Sequence, residues 1–523
     1  MENSDKTNKV TTPYTSEPLT PEASPPAPSI GSDEWAAQVE GRRRKRASFW
    51  GRLADLWERL PLGWRYALAL ALLVTVPLLT GTQPFLELIG ASNNDFILRT
   101  GARFLIFAML AIGLNVIVGN AGLLDLGYVA FFGIAGYLYA YSSSDFVTAL
   151  GPGGVHLPSL ISVPLIILVT AGIGWLVGSV SLRLSGDYLA IVTLGFGLVF
   201  VQLALTATRV NLPWLERPVD FTRGPNGINH LDGISVFGYS FTTTLEYYYL
   251  FLALLILVYL TVHHLNLSRI GRAWRAIRED ELAAEILGTP TGRLKLLAFA
   301  IGAGIAALAG SVDAAWQGNV VPVPRYSALT LINLYAMVVL GGIGSLPGAV
   351  LGAFIFTVLP EVLRDITAAS FLFYGFGLMG LWAVLKPMRR FALVVGGTIA
   401  SGLLFKLLVR FAWPGLDSPT LSGSWLNQAI QSWLVIPPNF TAVGNVVTIL
   451  AIFVLLLTIL FKHKPGLFHL LLGLSLYLFA FAWETRLALE PAATRILIVG
   501  VTLVVLMIVR PQGLLGKEEV KVA

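Results

Sequence analysis

The feature that most constrains this chain is the number of apolar runs long enough to cross a bilayer. A helix of about 20 apolar residues spans the hydrocarbon core. Runs close to that length recur at 66–82, 96–118, 121–142, 158–182, 187–208, 246–265, 295–316, 328–343, 347–363, 371–386, 391–411, 443–461, 466–484 and 491–509. Inside lipid every backbone N–H and C=O must be paired within its own segment or in a closed barrel, so uninterrupted runs of this length are expected to be helices. The expected fold is all-α, a polytopic transmembrane helical bundle of about 11–14 spans. The range arises from short or glycine-broken runs, notably 121–142, 328–343 and 371–386, which read equally as spans or as re-entrant segments. With 55% hydrophobic and 13% charged residues in 523, so much apolar surface does not fit a soluble core.

Several chemistries are disfavoured by the same sequence. There are no cysteines, which excludes disulfides and thiolate metal sites. The six histidines form no H-E-x-x-H or other ligand spacing, so neither a metal site nor a cofactor is expected. A net charge of +6 does not imply nucleic acid, because most Lys and Arg sit at the ends of apolar runs, where they orient helices. No G-x-x-x-x-G-K-[ST] loop is present, so any ATP is expected to be bound by another subunit.

Residues 1–64 divide into a Pro/Ser/Thr-rich tail expected to be disordered and a basic juxtamembrane segment containing Arg42-Arg43-Arg44-Lys45-Arg46. Alternating the spans from an inside N-terminus places Arg183, the 266–295 loop, Lys386 to Arg390, Lys462-His463-Lys464 and Arg510 to Lys521 inside. These are the densest basic clusters, as the positive-inside rule requires. Lys406, Arg410, Arg99 and Arg103 fall in outer halves, where long side chains reach the interface. The loop 209–244 carries the turn signal Pro225-Asn226-Gly227, and a second outer segment, 412–442, holds Trp413, Trp425 and Trp433.

The charged island within the apolar chain is Ser268 to Phe299. Four arginines, Arg269, Arg272, Arg275 and Arg278, precede Glu279 and the order Glu281-Leu282-Ala283-Ala284 followed by Gly288. Good helix formers running to a glycine describe a short helix with a closing turn. This E-x-A-A-x-x-x-G stretch resembles the cytoplasmic EAA loop of ABC-importer permeases, in which a coupling helix docks on an ATPase subunit. The resemblance implies that Arg278, Glu279, Glu281, Ala283, Ala284 and Gly288 couple to the ATPase.

Gly113-Leu114-Asn115 and Gly119-Asn120-Ala121-Gly122-Leu123-Leu124-Asp125-Leu126-Gly127-Tyr128, together with the 184–195 block, Gly224 to Gly227, Gly271 through Gly344 and the closing Arg510-Pro511-Gln512-Gly513-Leu514-Leu515, resemble the membrane permeases of branched-chain amino-acid ABC importers. The resemblance covers about 96–385 and 490–516. It gives a permease core at 65–388, with inserted spans at 389–489 and a final span and cytoplasmic tail at 490–523. Both 372–387 and 491–511 look like the family's last helix. The extra spans, rich in Leu, Val and Phe, read as peripheral to transport.

Small residues recur every four positions at Ala298, Gly302, Ala306 and Gly310 and again at Gly344, Gly348 and Gly352, stripes that let helices approach closely. Gly119-x-x-Gly122 is echoed by Gly341-Gly342-x-Gly344, suggesting glycine-broken segments in two related halves around a central site. Asn115, Gly122, Asp125, Tyr128, Gly341 and Gly344 are the candidates for a translocation path or gate. For Asp125, a helix-capping role and a role in the path both remain open.

The resemblance implies a multi-pass permease in the cytoplasmic membrane that works by alternating access and is not an enzyme. Its expected partners are ABC ATPase subunits, a second homologous permease, an extracytoplasmic amino-acid-binding protein and membrane lipid. The substrate is expected to be a branched-chain or related small amino acid, with urea or short amides as the alternative. An ion-coupled secondary transporter would need more intramembrane charges than the spans contain. A membrane enzyme would need a catalytic constellation that the spans lack.

Overall fold

A computed structural model describes residues 94–146, 154–181, 187–208, 220–363, 366–385, 388–412, 425–461, 464–489 and 512–516, with a few isolated positions besides. All the features below fall within the unit Val74–Ala523, the larger of two compact units. Outside the described residues lie the tail and its basic run, most of 66–82, Arg183, the part of the outer loop with Pro213-Trp214 and Glu216, Lys386-Pro387, Lys462-His463, nearly all of 491–511, and 517–523.

The chain is helical in the way its apolar runs require. Helices α1 (Asn94–Asn115), α2 (Tyr128–Ser142), α3 (Ser159–Ser181), α4 (Asp187–Thr206) and α5 (Thr244–Leu267) come first. The island forms α6 (Arg269–Glu279) and α7 (Glu281–Ile286), and then come α8 (Thr291–Gln317), α9 (Ala328–Gly341), α10 (Leu346–Val362) and α11 (Ile366–Val384). Beyond them lie α12 (Met388–Ala412), α13 (Trp425–Trp433), α14 (Phe440–Leu460) and α15 (Pro465–Leu489). Among the described residues eight helices are long and apolar enough to span a membrane, and three shorter apolar helices accompany them. The chain is an all-α polytopic bundle.

The run 121–142 is not one continuous span. Residues 121–127 are irregular and the helix begins only at Tyr128, because Gly122 turns the chain at φ +70°. Irregular backbone of this kind is tolerated at membrane depth only where protein groups surround it.

The small-residue stripes bring the core together. α8 packs against α1, α2 and α3. A Cβ at Gly302 would strike the Ile117 side chain, and one at Gly310 would strike the Phe132 carbonyl oxygen. Gly348 and Gly352 of α10 lie equally close to the backbone of α9, so glycine sets both approaches. The loop between α4 and α5 is pinned by an antiparallel pair of short strands, β1 (Ile228–Asn229) and β2 (Asn319–Val320). Gly227 at φ +63° makes room there, since any Cβ would overlap the Val320 carbonyl.

Candidate functional site

The site is built where two helices break and meet. α1 loosens into a π turn at Val116–Asn120 and the chain then swings through Gly122. α9 stops at Gly341, and Gly342 (φ +112°) and Gly344 (φ +84°) redirect the chain. Ser345 then accepts the Gly348 N–H at 3.2 Å and caps α10. These left-handed conformations are ones that only glycine adopts without strain.

The two breaks bond directly to one another. The Gly344 N–H donates to Asn115 Oδ1 at 2.8 Å, and the Tyr335 hydroxyl on α9 donates to the Asp125 carbonyl oxygen at 2.6 Å. Asn120 Nδ2 donates to Asn266 Oδ1 at 2.8 Å, tying the first break to the end of α5.

Arg278, on the last turn of α6, reaches into this junction. Its Nη1 donates to the Gly119 carbonyl oxygen at 2.7 Å. A Cβ on Gly122 would lie 3.1 Å from Arg278 Cγ, and one on Gly344 only 2.7 Å from its Nη1. The two glycines are therefore the walls of the slot through which the guanidinium passes. The Gly119 carbonyl is accessible to it because the helix ends at Asn120, so this last-turn carbonyl has no partner within its own helix.

α6 is fixed from beneath by Trp274, a fully buried residue whose Nε1 donates to the Leu294 carbonyl at 2.8 Å. Asp280 leaves the helical conformation and accepts the Ala283 N–H at 3.0 Å, capping α7. The island thus holds two helices. Glu279 ends the first, and Glu281, Ala283 and Ala284 lie in the second. Gly288 closes the second at φ +82°, with its N–H on the Glu285 carbonyl at 2.9 Å. Glu281 pairs with Lys295 of α8. Ala284 packs inward, while Leu282, Ile286 and Leu287 are 69%, 78% and 84% exposed.

Asn115, Asp125 and Tyr128 are all buried. Asp125 Oδ1 accepts the Gly127 N–H at 2.9 Å, an Asx turn just ahead of α2, while the helix itself starts from Gly127 with no side-chain cap, so the expected capping role is not what the carboxylate does. Its other carboxylate oxygen, together with Asn115 Nδ2 and the Tyr128 hydroxyl, is buried without a hydrogen-bond partner. Three orphaned polar atoms on one broken segment are costly at membrane depth unless a polar solute or another conformation satisfies them. Among the described residues no group of three His, Cys, Asp or Glu side chains could hold a metal ion.

A chain-terminal strap completes the junction. The Leu514 and Leu515 N–H groups donate to the carbonyls of Leu340 (2.8 Å) and Gly341 (2.9 Å), and Gly513 at φ +80° lies against Gly342. These are C-terminal carbonyls of α9 that its own helix leaves unpaired. The strap's pairing with α9, and the roles of Asn266, Trp274 and Tyr335, escape sequence reasoning because each acts through a contact distant in the chain; Asp280, a local cap of α7, was open to it as an Asp just ahead of a helix.

Apart from the strap, the junction, the island and the glycine breaks fall within residues 96–382, which match the family described as "Branched-chain amino acid transport system / permease component". The chain belongs to that family. Among this permease's relatives is the high-affinity branched-chain amino acid transport system permease protein LivM of Escherichia coli K12, 38% identical over 310 residues, 54% of this chain and 67% of the relative. BraD of Pseudomonas aeruginosa, a protein of the same description, is 28% identical, covering 54% of this chain and 90% of its own. LivH of E. coli K12 is 28% identical, over 48% and 79% respectively. No solved structure matches the chain. The family match ends at Trp382, before α12 begins.

Proposed function

We propose that this permease is the membrane subunit of an ATP-driven ABC importer for branched-chain or related small amino acids, and that α6 and α7 carry the stroke of a separate ATPase to the glycine junction. The observation that carries the reading is the Arg278–Gly119 hydrogen bond, which connects an exposed, capped helix pair to the contact between two broken helices. The exposed Leu282, Ile286 and Leu287 offer an apolar face of the kind a groove accepts, and Glu281 and Gly288 set its orientation and end. Displacement of α7 would be passed through Arg278 to both breaks at once. Asn115, Gly122, Asp125, Tyr128, Gly341 and Gly344 then form the inner gate.

A second permease of the same family is part of the proposal. Two proteins of one organism, LivM and LivH of E. coli K12, bear the same description and are both similar to this chain. A partner permease, two ATPases and an extracytoplasmic binding protein would complete the complex, with the N- and C-termini and the 266–295 loop on the cytoplasmic side. The core would comprise residues 65–388, with 389–489 as inserted spans.

Reconstitution into vesicles with the ATPases tests the reading. Leucine uptake should require both ATP and the binding protein. Uptake that follows an ion gradient without ATP would make the chain a secondary transporter, and uptake of urea without leucine would move it to the amide-importing alternative.

A further inference from the structure

A large cavity lies remote from the junction. It lies among α12, α14 and α15, has a volume of about 1080 Å³, and is lined along α12 by Leu393, Gly397 and Phe405 and along α15 by Leu470 and Leu474. α12 and α15 run alongside one another in the same direction, because Gly473 faces Thr398 and the Tyr477 ring meets Phe405. The starts of both helices therefore form the same end of the groove. From Arg390 to Phe405 the lining extends about 22 Å at helical rise. That is longer than the half-thickness of a bilayer core, about 15 Å.

The polar side chains along the groove do not address its interior. The Thr398 hydroxyl donates to the Val394 carbonyl at 2.7 Å, the Ser401 hydroxyl to the Thr398 carbonyl at 3.0 Å, and the Tyr477 hydroxyl accepts the Val435 N–H at 3.2 Å. What remains facing the cavity is aliphatic and aromatic, suited to hydrocarbon rather than to a polar solute. The end that carries Arg390 and His469 is different. Arg389 and Lys464 lie on the same helix starts, and among the described residues neither arginine nor this lysine pairs with a carboxylate. Between Lys386 and Trp483 the only acidic residue is Asp417.

From this apolar length and its cationic mouth, we infer that the groove binds one anionic phospholipid, acyl chains among α12, α14 and α15 and phosphate at Arg390 and His469. Basic pockets between membrane helices hold anionic headgroups in this manner, while a groove without the cations would take any lipid. The site is independent of the transport reading.

The test is to purify the intact permease in mild detergent from a membrane containing phosphatidylglycerol and phosphatidylethanolamine, and to weigh retained lipid by native mass spectrometry. The wild type should keep one phosphatidylglycerol. Arg390→Gln should lower the anionic-to-zwitterionic ratio about fivefold. Gly397→Trp, which fills the groove where a side chain at present meets nothing, should remove the bound lipid altogether. Leu404→Trp, on an exposed position of α12 that does not line the cavity, controls for folding and should leave the lipid in place. A monodisperse wild type with no retained lipid, a ratio unaltered by Arg390→Gln, or lipid retained in Gly397→Trp would each overturn the assignment.

Discussion

Arg278 and Gly119 are 159 positions apart, yet the guanidinium of one donates to the carbonyl of the other at 2.7 Å. The bond exists because Gly122 and Gly344 have no side chains to fill the slot, and because the helix end at Asn120 leaves the Gly119 carbonyl available.

The two glycines should therefore behave differently from the glycine that ends α7. Gly288→Val faces open space, so its cost comes from the left-handed backbone alone, about 1–2 kcal/mol. Gly344→Val adds to that a collision with Arg278 and should unseat the guanidinium. Thermal unfolding in detergent should register Gly344→Val as the more destabilised, and both should transport poorly while still inserting in the membrane. Normal uptake with Gly288→Val would remove the closing turn from the coupling reading.

The strap yields a second expectation. Leu514→Pro removes the N–H that donates to the Leu340 carbonyl, and Leu515→Pro the one that donates to Gly341. An unpaired buried carbonyl costs about 1–3 kcal/mol. Each variant should lower uptake at equal amounts of membrane-inserted protein. Uptake equal to wild type in the double variant would show that the strap only trims the chain end.

Much of this was legible in the sequence for a simple physical reason. Span-length apolar runs have little choice but helix in lipid, and glycine-every-four stripes have little use except close packing, so the bundle and its seams follow from residue types. The charged island and both glycine breaks were legible as well, because charge and glycine are expensive inside apolar helices. What was not legible is contact across distance. Nothing local marks Tyr335 as a donor to Asp125, or Trp274 as the anchor of α6 on α8. Glycine marked a break in 121–142, but the length of the irregular stretch, 121–127, was hidden by a composition almost as apolar as a span.

The helices beyond the family match also contain a polar node that their composition obscures. Glu484 of α15 is buried and accepts hydrogen bonds from Asn427 of α13 at 3.1 Å and from the Tyr374 hydroxyl of α11 at 3.0 Å. α13 and α15 are thus fastened to α11, the last helix touched by the family match. Glu484→Leu strands these donors and should destabilise the protein by about 1–3 kcal/mol, whereas Glu484→Gln, which retains an acceptor, should cost less. Thermal unfolding that ranks the two in the opposite order would place the fastening elsewhere. If the insertion is peripheral to transport, a chain lacking residues 389–508, joined from Met388 to Val509, should still insert, assemble and take up substrate. Assembly without uptake would make the insertion part of the mechanism.

Since the chain has no cysteine, single cysteines at Asn115, Asp125 and Tyr128 report access without background. All three positions are buried in this conformation, at 0%, 1% and 0% exposure. Water-soluble thiol reagents should label them slowly here and faster in one of the ATP-dependent states, as expected of a gate. Labelling at one rate in every nucleotide state would leave the three as packing residues.

The most direct measurement is the number of ATP molecules hydrolysed per amino acid imported by the reconstituted complex carrying Arg278→Gln. Glutamine is too short to reach Gly119 with a comparable donor, and it lacks the charge that makes the bond strong. Hydrolysis should persist, because α7 and its exposed apolar face are untouched, while uptake falls at least tenfold and the ratio rises accordingly. A wild-type ratio with wild-type uptake would contradict the proposal that Arg278 carries the stroke to the glycine junction.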